Sequence, residues 1–108
     1  MLPFPPRMKI LALEQPVPGI APTAFTPAIL KDEAARVWEL QQSGFVREIY
    51  FRADRNEAVL VLESADADEA RRQLASLPLV RAGLIDFAVI PLRAYPGTAR
   101  LFSPAAGT

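Results

Sequence analysis

The 108 residues of this chain suffice for one domain, and 51% of them are hydrophobic, which is too many for a disordered segment. Twelve basic and twelve acidic residues cancel without clustering, so nucleic acid is not an expected partner. No stretch approaches the ~20 uninterrupted apolar residues of a membrane-spanning helix. These features predict a single globular domain with no membrane partner.

Histidine and cysteine are both absent, which limits the chemistry that the chain can perform. Disulfides, thiol nucleophiles, imidazole bases and ordinary zinc sites are excluded. Acid–base steps must use Asp, Glu, Tyr, Lys or a bound water, and no loop has the acidic spacing of a magnesium or calcium site. No metal is therefore expected. Three prolines within residues 1–6 are unlike a signal peptide, so a cytoplasmic location is expected.

The first half of the chain is typical of a strand, an irregular connection and a helix. Residues 8–14 form a short apolar run that predicts the first strand. Residues 15–26 carry three prolines and a glycine, which disfavour regular structure. A helix is predicted from Pro27 to about Gln42, because Thr26 can cap it and proline is favoured at a first helical position.

This helix has one wide apolar side, on which Glu33 and Gln41 also fall. Glu33 has two interpretations: a carboxylate that points into a pocket, or a rim residue whose stem lies on the helix while its head stays in water. Trp38 is expected in the core, as a lone aromatic on an apolar helix face usually is. The apolar positions of this side are Ile29, Leu30, Ala34, Val37, Trp38 and Leu40.

The middle of the chain predicts a hairpin followed by a second helix. Residues 45–52 and 57–64 alternate as strands do, and residues 53–56 form a plausible turn between them. Asp66 opens the second helix, because Glu69 follows it with the spacing of a capping box.

A last strand and a tail complete the chain. Residues 84–92 are nearly all apolar, and Pro91 cannot donate to a strand ladder, which indicates a sheet edge or a strand end. Asp86 within this strand is expected to face solvent. One domain, 1–108, is therefore predicted, with its core at about 8–93 and a C-terminal tail at 94–108.

The register of the hairpin decides which side chains share a face of the sheet. Pairing Arg52 with Ala58 places two apolar pairs and the ion pair of Arg47 with Glu63 on one face. The opposite face then carries a polar set beside two leucines: Glu48, Tyr50, Arg52, Leu60 and Leu62.

Four strands and two helices in the order βαββαβ predict an α+β, ferredoxin-like fold, a four-stranded antiparallel sheet with both helices on one face. The helices can cover only that face, whereas the second and third strands carry large apolar side chains on both faces. A single copy would expose a larger apolar patch than monomers normally tolerate. Two copies are therefore expected to pack sheet to sheet as a dimeric α/β barrel, in a homodimer or a higher homo-oligomer.

Residues 31–96 resemble the muconolactone Δ-isomerase family, small ferredoxin-like enzymes of aromatic catabolism. The resemblance is densest at five places: Glu39-Leu40-Gln41, Gly44 with Arg47, Glu63-Ser64, Leu77-Pro78-Leu79 and Pro91-Leu92. Glu33 and Arg47 stand where that family has Glu and Arg, whereas Glu48 and Tyr50 stand where it has His and Trp. The resemblance implies a proton shift within a small unsaturated lactone, without a metal or an organic cofactor.

Such a reaction needs a base, an acid and a group that stabilises dienolate-like charge. Glu33 is the predicted proton shuttle, because a carboxylate on an apolar helix face is expected to have a raised pKa. Tyr50 is the predicted donor to the oxyanion and Glu48 the third catalytic residue. Arg52 is expected to hold a substrate carboxylate. The other substrate-binding candidates are Val37, Gln41, Leu60 and Leu62.

Three functions fit these observations. A cofactor-independent isomerase or cyclase acting on a small ring compound predicts that Glu33, Glu48 and Tyr50 converge on one cavity between helices and sheet. A non-catalytic, small-molecule-binding or structural dimer is favoured instead by a filled core. A cofactor-free monooxygenase of the same barrel type predicts oxygen uptake with an aromatic substrate.

Overall fold

The structure is a computed structural model that describes residues 7–104. Its helices and strands follow in the order β1 (Met8–Pro16), α1 (Pro27–Gln42), β2 (Val46–Phe51), β3 (Ala58–Ser64), α2 (Ala67–Leu74), α3 (Pro78–Arg81) and β4 (Ile85–Pro91). Two 3-10 turns lie at Pro22–Ala24 and Gly97–Leu101. The predicted order is confirmed, and α3 is an addition to it. None of the described helices has the length and apolar character needed to cross a membrane.

The four strands form one sheet in the order β2-β3-β1-β4, in which every neighbouring pair is antiparallel. This order, with helices packed on the sheet, confirms the α+β, ferredoxin-like fold. β4 is an edge strand, as Pro91 indicated, and Asp86 on it is exposed.

Side-chain caps fix both long helices at the residues that the sequence indicated. The Thr26 hydroxyl oxygen accepts a hydrogen bond from the Ile29 amide at 3.3 Å and begins α1. A carboxylate oxygen of Asp66 accepts from the Glu69 amide at 2.7 Å and begins α2. These bonds satisfy amides of the first helical turn, which have no partner within the helix.

The core lies between the helices and one face of the sheet. Alternate residues of β1 and β3 point to this face and pack against α1 and α2. The buried cluster consists of Ile10, Ala12, Leu40, Phe45, Val46, Ala58, Leu60, Leu62, Ala70, Leu74 and Leu77. Trp38 is not part of it: 62% of this residue is exposed, so the prediction of a core tryptophan was wrong. The buried stripe of α1 is centred near Val37, and Trp38 lies one residue, ~100° of helix rotation, away from it.

The hairpin between β2 and β3 has the predicted four-residue turn but not the predicted register. The Arg52 amide donates to the Glu57 carbonyl at 2.9 Å, so Arg52 lies opposite Glu57 rather than Ala58. Phe51 therefore pairs with Ala58 and Tyr50 with Val59, and the predicted register was wrong by one residue.

A β-bulge in β2 accounts for which side chains reach the core. Val46 pairs with Leu62 and Glu48 with the adjacent Val61, so Arg47 is an extra residue without a partner in the register of β3. Before the bulge, Val46 points to the core. After it, Ile49 pairs with buried Leu60, so the side-chain alternation of β2 has changed phase.

The face of the sheet opposite the helices, here called the open face, carries an apolar row across all four strands. Its centre is Leu11, which lies between Val61 of β3 and Ile90 of β4. The rest of the row is Leu13, Tyr50, Val59 and Ala88. At its border the Nε of Arg47 lies 4.0 Å from a Glu63 carboxylate oxygen, which confirms that pair as a loose, partly exposed ion pair.

Candidate functional site

A chamber of about 350 Å3 lies between the helices and the sheet, on the face opposite the open face. This volume falls within the range of small-molecule sites. The chamber is at odds with a filled core, and its walls are almost entirely apolar. Its lining residues are Glu14, Leu30, Glu33, Ala34, Val37, Ile49, Phe51, Ala58, Leu60, Leu77, Leu79, Ile85 and Phe87.

Glu33 lines the chamber from the second turn of α1. Its Oε1 accepts a hydrogen bond from the Leu79 amide at 2.9 Å, and that amide belongs to the first turn of α3, so it has no partner within the helix. The side chain is therefore held at the chamber wall rather than extended into water. Burial raises the pKa of Glu33; the Leu79 amide opposes this shift, and the charge of Glu14 adds to it.

Glu14 is the second carboxylate of the chamber, and no role was predicted for it from the sequence. It lies on central strand β1, and one of its oxygens accepts from the Ala58 amide at 3.0 Å. Burial raises the pKa of Glu14, the Ala58 amide opposes the shift, and the charge of Glu57 adds to it. A signal was present in the sequence: Ile10, Ala12 and Glu14 alternate on one face, and the first two are fully buried.

Glu48 and Tyr50 do not line the chamber, so the expectation that they converge with Glu33 on one cavity was wrong. The bulge at Arg47 turns them to the open face, where the Tyr50 hydroxyl donates to a Glu48 carboxylate oxygen at 2.7 Å. This hydrogen bond raises the pKa of the Tyr50 hydroxyl, which keeps it in the neutral, donating form. Ile49 and Phe51 occupy the chamber side instead.

Of the five predicted substrate-binding residues, two line the chamber and three do not. Val37 and Leu60 line the chamber. Leu62 is fully buried in the core, and Gln41 is exposed on α1. Arg52 lies at the start of the β2–β3 turn, outside the chamber.

A second groove of about 390 Å3 adjoins the chamber and shares several of its walls. Its other walls include Ile20, Pro22 and Phe25 of the Pro-rich connection between β1 and α1, and Asn56 of the β2–β3 turn. The connection that appeared irregular in sequence therefore lines a groove beside the chamber.

The chemical content of the site is a pair of carboxyl groups in apolar surroundings. A carboxyl group with a raised pKa exchanges protons closer to neutral pH than an exposed one, which suits proton abstraction and return. Among residues 7–104, no group of three or more acidic side chains is arranged to hold a metal ion. The fold and this site together define a ferredoxin-like α+β protein with a carboxylate-bearing apolar chamber.

Comparison with known families agrees with this class. The sequence model of the family described as muconolactone delta-isomerase matches residues 11–98, which is most of the chain and includes every residue that lines the chamber. The chain belongs to the muconolactone delta-isomerase family. No curated protein matches the sequence.

Proposed function

We propose that this protein is a cofactor-independent isomerase that moves a proton within a small, unsaturated, oxygenated ring compound such as a lactone. The observation that carries the proposal is the position of Glu33. Its carboxylate sits in the wall of an apolar chamber and is held there by the Leu79 amide at 2.9 Å. Membership of the isomerase family supports the same reaction class.

In the proposed reaction, the Glu33 carboxylate accepts a proton from a ring carbon next to the double-bond system. The electron pair of the broken C–H bond moves into the ring and gives a dienolate-like species whose charge collects on the carbonyl oxygen. Protonated Glu33 then returns the proton to a different ring carbon, so the double bond has shifted and no atom is gained or lost. Glu14 in its protonated form donates a hydrogen bond to this carbonyl oxygen while the oxygen carries the negative charge.

The test is an isomerisation assay with a panel of unsaturated lactones, followed by NMR in D2O. Movement of the double bond, or enzyme-dependent deuterium exchange at ring carbons, is the expected result. Glu33→Gln should reduce the rate ~10²–10⁴-fold, the range for loss of a general acid–base group. Glu39→Gln is the matched control, because Glu39 lies on the same helix, is mostly exposed and does not line the chamber. Glu33→Gln at the wild-type rate would remove the proposal.

We also propose that two copies pair through the open face. The apolar row centred on Leu11 is covered by no described helix, and Tyr50 and Ile90 at its ends are 56% and 40% exposed. Burying such a row against a second copy removes apolar surface from water. Light scattering at micromolar concentration should give at least twice the chain mass of 11.8 kDa. A mass of one chain would contradict this pairing.

A further inference from the structure

The charge of the chamber has a single sign. Only two of its thirteen lining residues ionise, Glu14 and Glu33, and both are carboxyl groups. Within the described part of the chain, no lysine or arginine lines the chamber, and the adjoining groove adds only the neutral amide of Asn56. The site therefore offers hydrogen-bonding groups and apolar walls, but no cation that could pair with a negatively charged ligand.

The arginines of the β2–β3 turn do not supply that cation, because acidic neighbours already hold them. Arg52 donates two hydrogen bonds to Asp54, at 2.8 and 2.6 Å, and its Nη1 lies 3.9 Å from Glu57. The Nε of Arg55 lies 3.7 Å from the same Glu57 oxygen. Two arginines and two acids thus form a nearly neutral cluster, with Glu57 between the arginines.

Three acidic residues, Glu57, Glu14 and Glu33, act on one another from this turn to the chamber and disfavour an anionic ligand. The charge of Glu57 acts on Glu14 and raises its pKa, and the charge of Glu14 acts on Glu33 in the same direction. A ligand carboxylate placed among them would add another like charge in surroundings where apolar walls weaken dielectric screening. An uncharged ring meets no such repulsion, and its carbonyl oxygen can accept from a protonated carboxyl group.

We infer that the chamber selects an uncharged ring compound and disfavours substrates that carry a carboxylate. The inference rests on the proposed isomerase function and specifies its substrate class. Muconolactone itself carries a carboxymethyl substituent on its unsaturated lactone ring, and this group is ionised at neutral pH. This chain therefore shares the family's fold but takes an electrically neutral relative of that compound.

A matched pair of ligands tests the inference: muconolactone and its methyl ester, which differ in charge but share the ring. Binding to the full chain is measured at pH 7.5 from the amide chemical shifts of Leu79 and Ala58, the donors to the two carboxyl groups. The ester should bind at least about tenfold more tightly than the acid, which corresponds to ~1.4 kcal/mol. Glu33→Gln should reduce the preference for the ester, because it removes the carboxylate charge that repels the acid, whereas Glu39→Gln should leave the preference unchanged.

The outcomes separate the substrate class from the reaction. Equal or tighter binding of the acid overturns the inference, even if the acid is isomerised and the proposed function stands. Failure of the ester to bind up to its solubility limit also overturns it. Tighter binding of the ester with no isomerisation of any lactone supports the neutral-ligand inference while removing the isomerase proposal.

Discussion

Replacing Glu33 separates its role as a hydrogen-bond acceptor from its role as a proton carrier. Alanine at this position leaves the Leu79 amide without the partner that it has at 2.9 Å. Loss of a hydrogen bond to a charged group costs ~1.5–3 kcal/mol, and partial exposure of this site favours the lower end. Glu33→Ala should therefore lower the free energy of unfolding by ~1–2 kcal/mol, or Tm by ~5–10 °C in a domain of this size.

Glutamine at the same position keeps an oxygen acceptor for the Leu79 amide and removes the charge. Burial raises the folded-state pKa of Glu33. Its favourable contribution to the free energy of unfolding is therefore complete below the unfolded-state pKa near 4.5 and is lost as pH rises through the folded-state pKa. Glu33→Gln should thus have the same free energy of unfolding as the wild type at low pH and be at least as stable as the wild type at pH 8, while its isomerase rate falls. A more stable but inactive variant is the expected signature of a group placed for chemistry.

The assay is urea denaturation followed by far-UV circular dichroism at pH 4 and pH 8. Protein concentration is held fixed, because self-association would otherwise change the apparent stability. Equal destabilisation of the Glu33→Gln and Glu33→Ala variants at pH 8 would refute the assigned hydrogen bond between Glu33 and the Leu79 amide. Glu33→Ala within 0.5 kcal/mol of the wild type, a difference typical of ordinary surface substitutions, would refute it as well.

Two further predictions concern the backbone and the open face. Gly44 follows the end of α1 with φ at +85°, so Gly44→Ala should lower the free energy of unfolding by ~1–2 kcal/mol through left-handed backbone strain, measured by denaturation. Unchanged stability would contradict this. Val61→Asp places a charge beside Leu11 at the centre of the open face and should shift the mass in light scattering to one chain, with a folded circular dichroism spectrum. Arg72→Asp, at an exposed position of α2, is the control. Self-association of both variants would exclude pairing through this face.

Elements with strong local signals were predictable from the sequence. Thr26 followed by Pro27 located the start of α1, and the capping pair of Asp66 and Glu69 located the start of α2, because both signals act within one helical turn. α3 was not predicted, because this four-residue helix begins with a proline directly after Leu77, and a proline at such a position is also typical of a turn. Glu33 was identified as a candidate because helical periodicity alone places it on the apolar side of α1.

The remaining part of the site depended on interactions between distant residues. Whether Glu48 and Tyr50 or Ile49 and Phe51 reach the chamber depends on the extra residue Arg47, which no local pattern marks as a bulge. Glu14 required knowing that β1 is central and which of its faces the helices cover. Local propensity specifies neither of these, because both follow from the pairing of strands far apart in sequence.

The bulge at Arg47 also affects how this chain can change in length. Deleting that one residue would leave Val46 opposite Leu62 and Glu48 opposite Val61, so Ile49 and Phe51 would stay on the chamber side and Glu48 and Tyr50 on the open face. The strand can therefore lose its additional residue while both of its surfaces keep their composition. Substitutions at alternate positions of β2 can then alter the chamber and the open face separately.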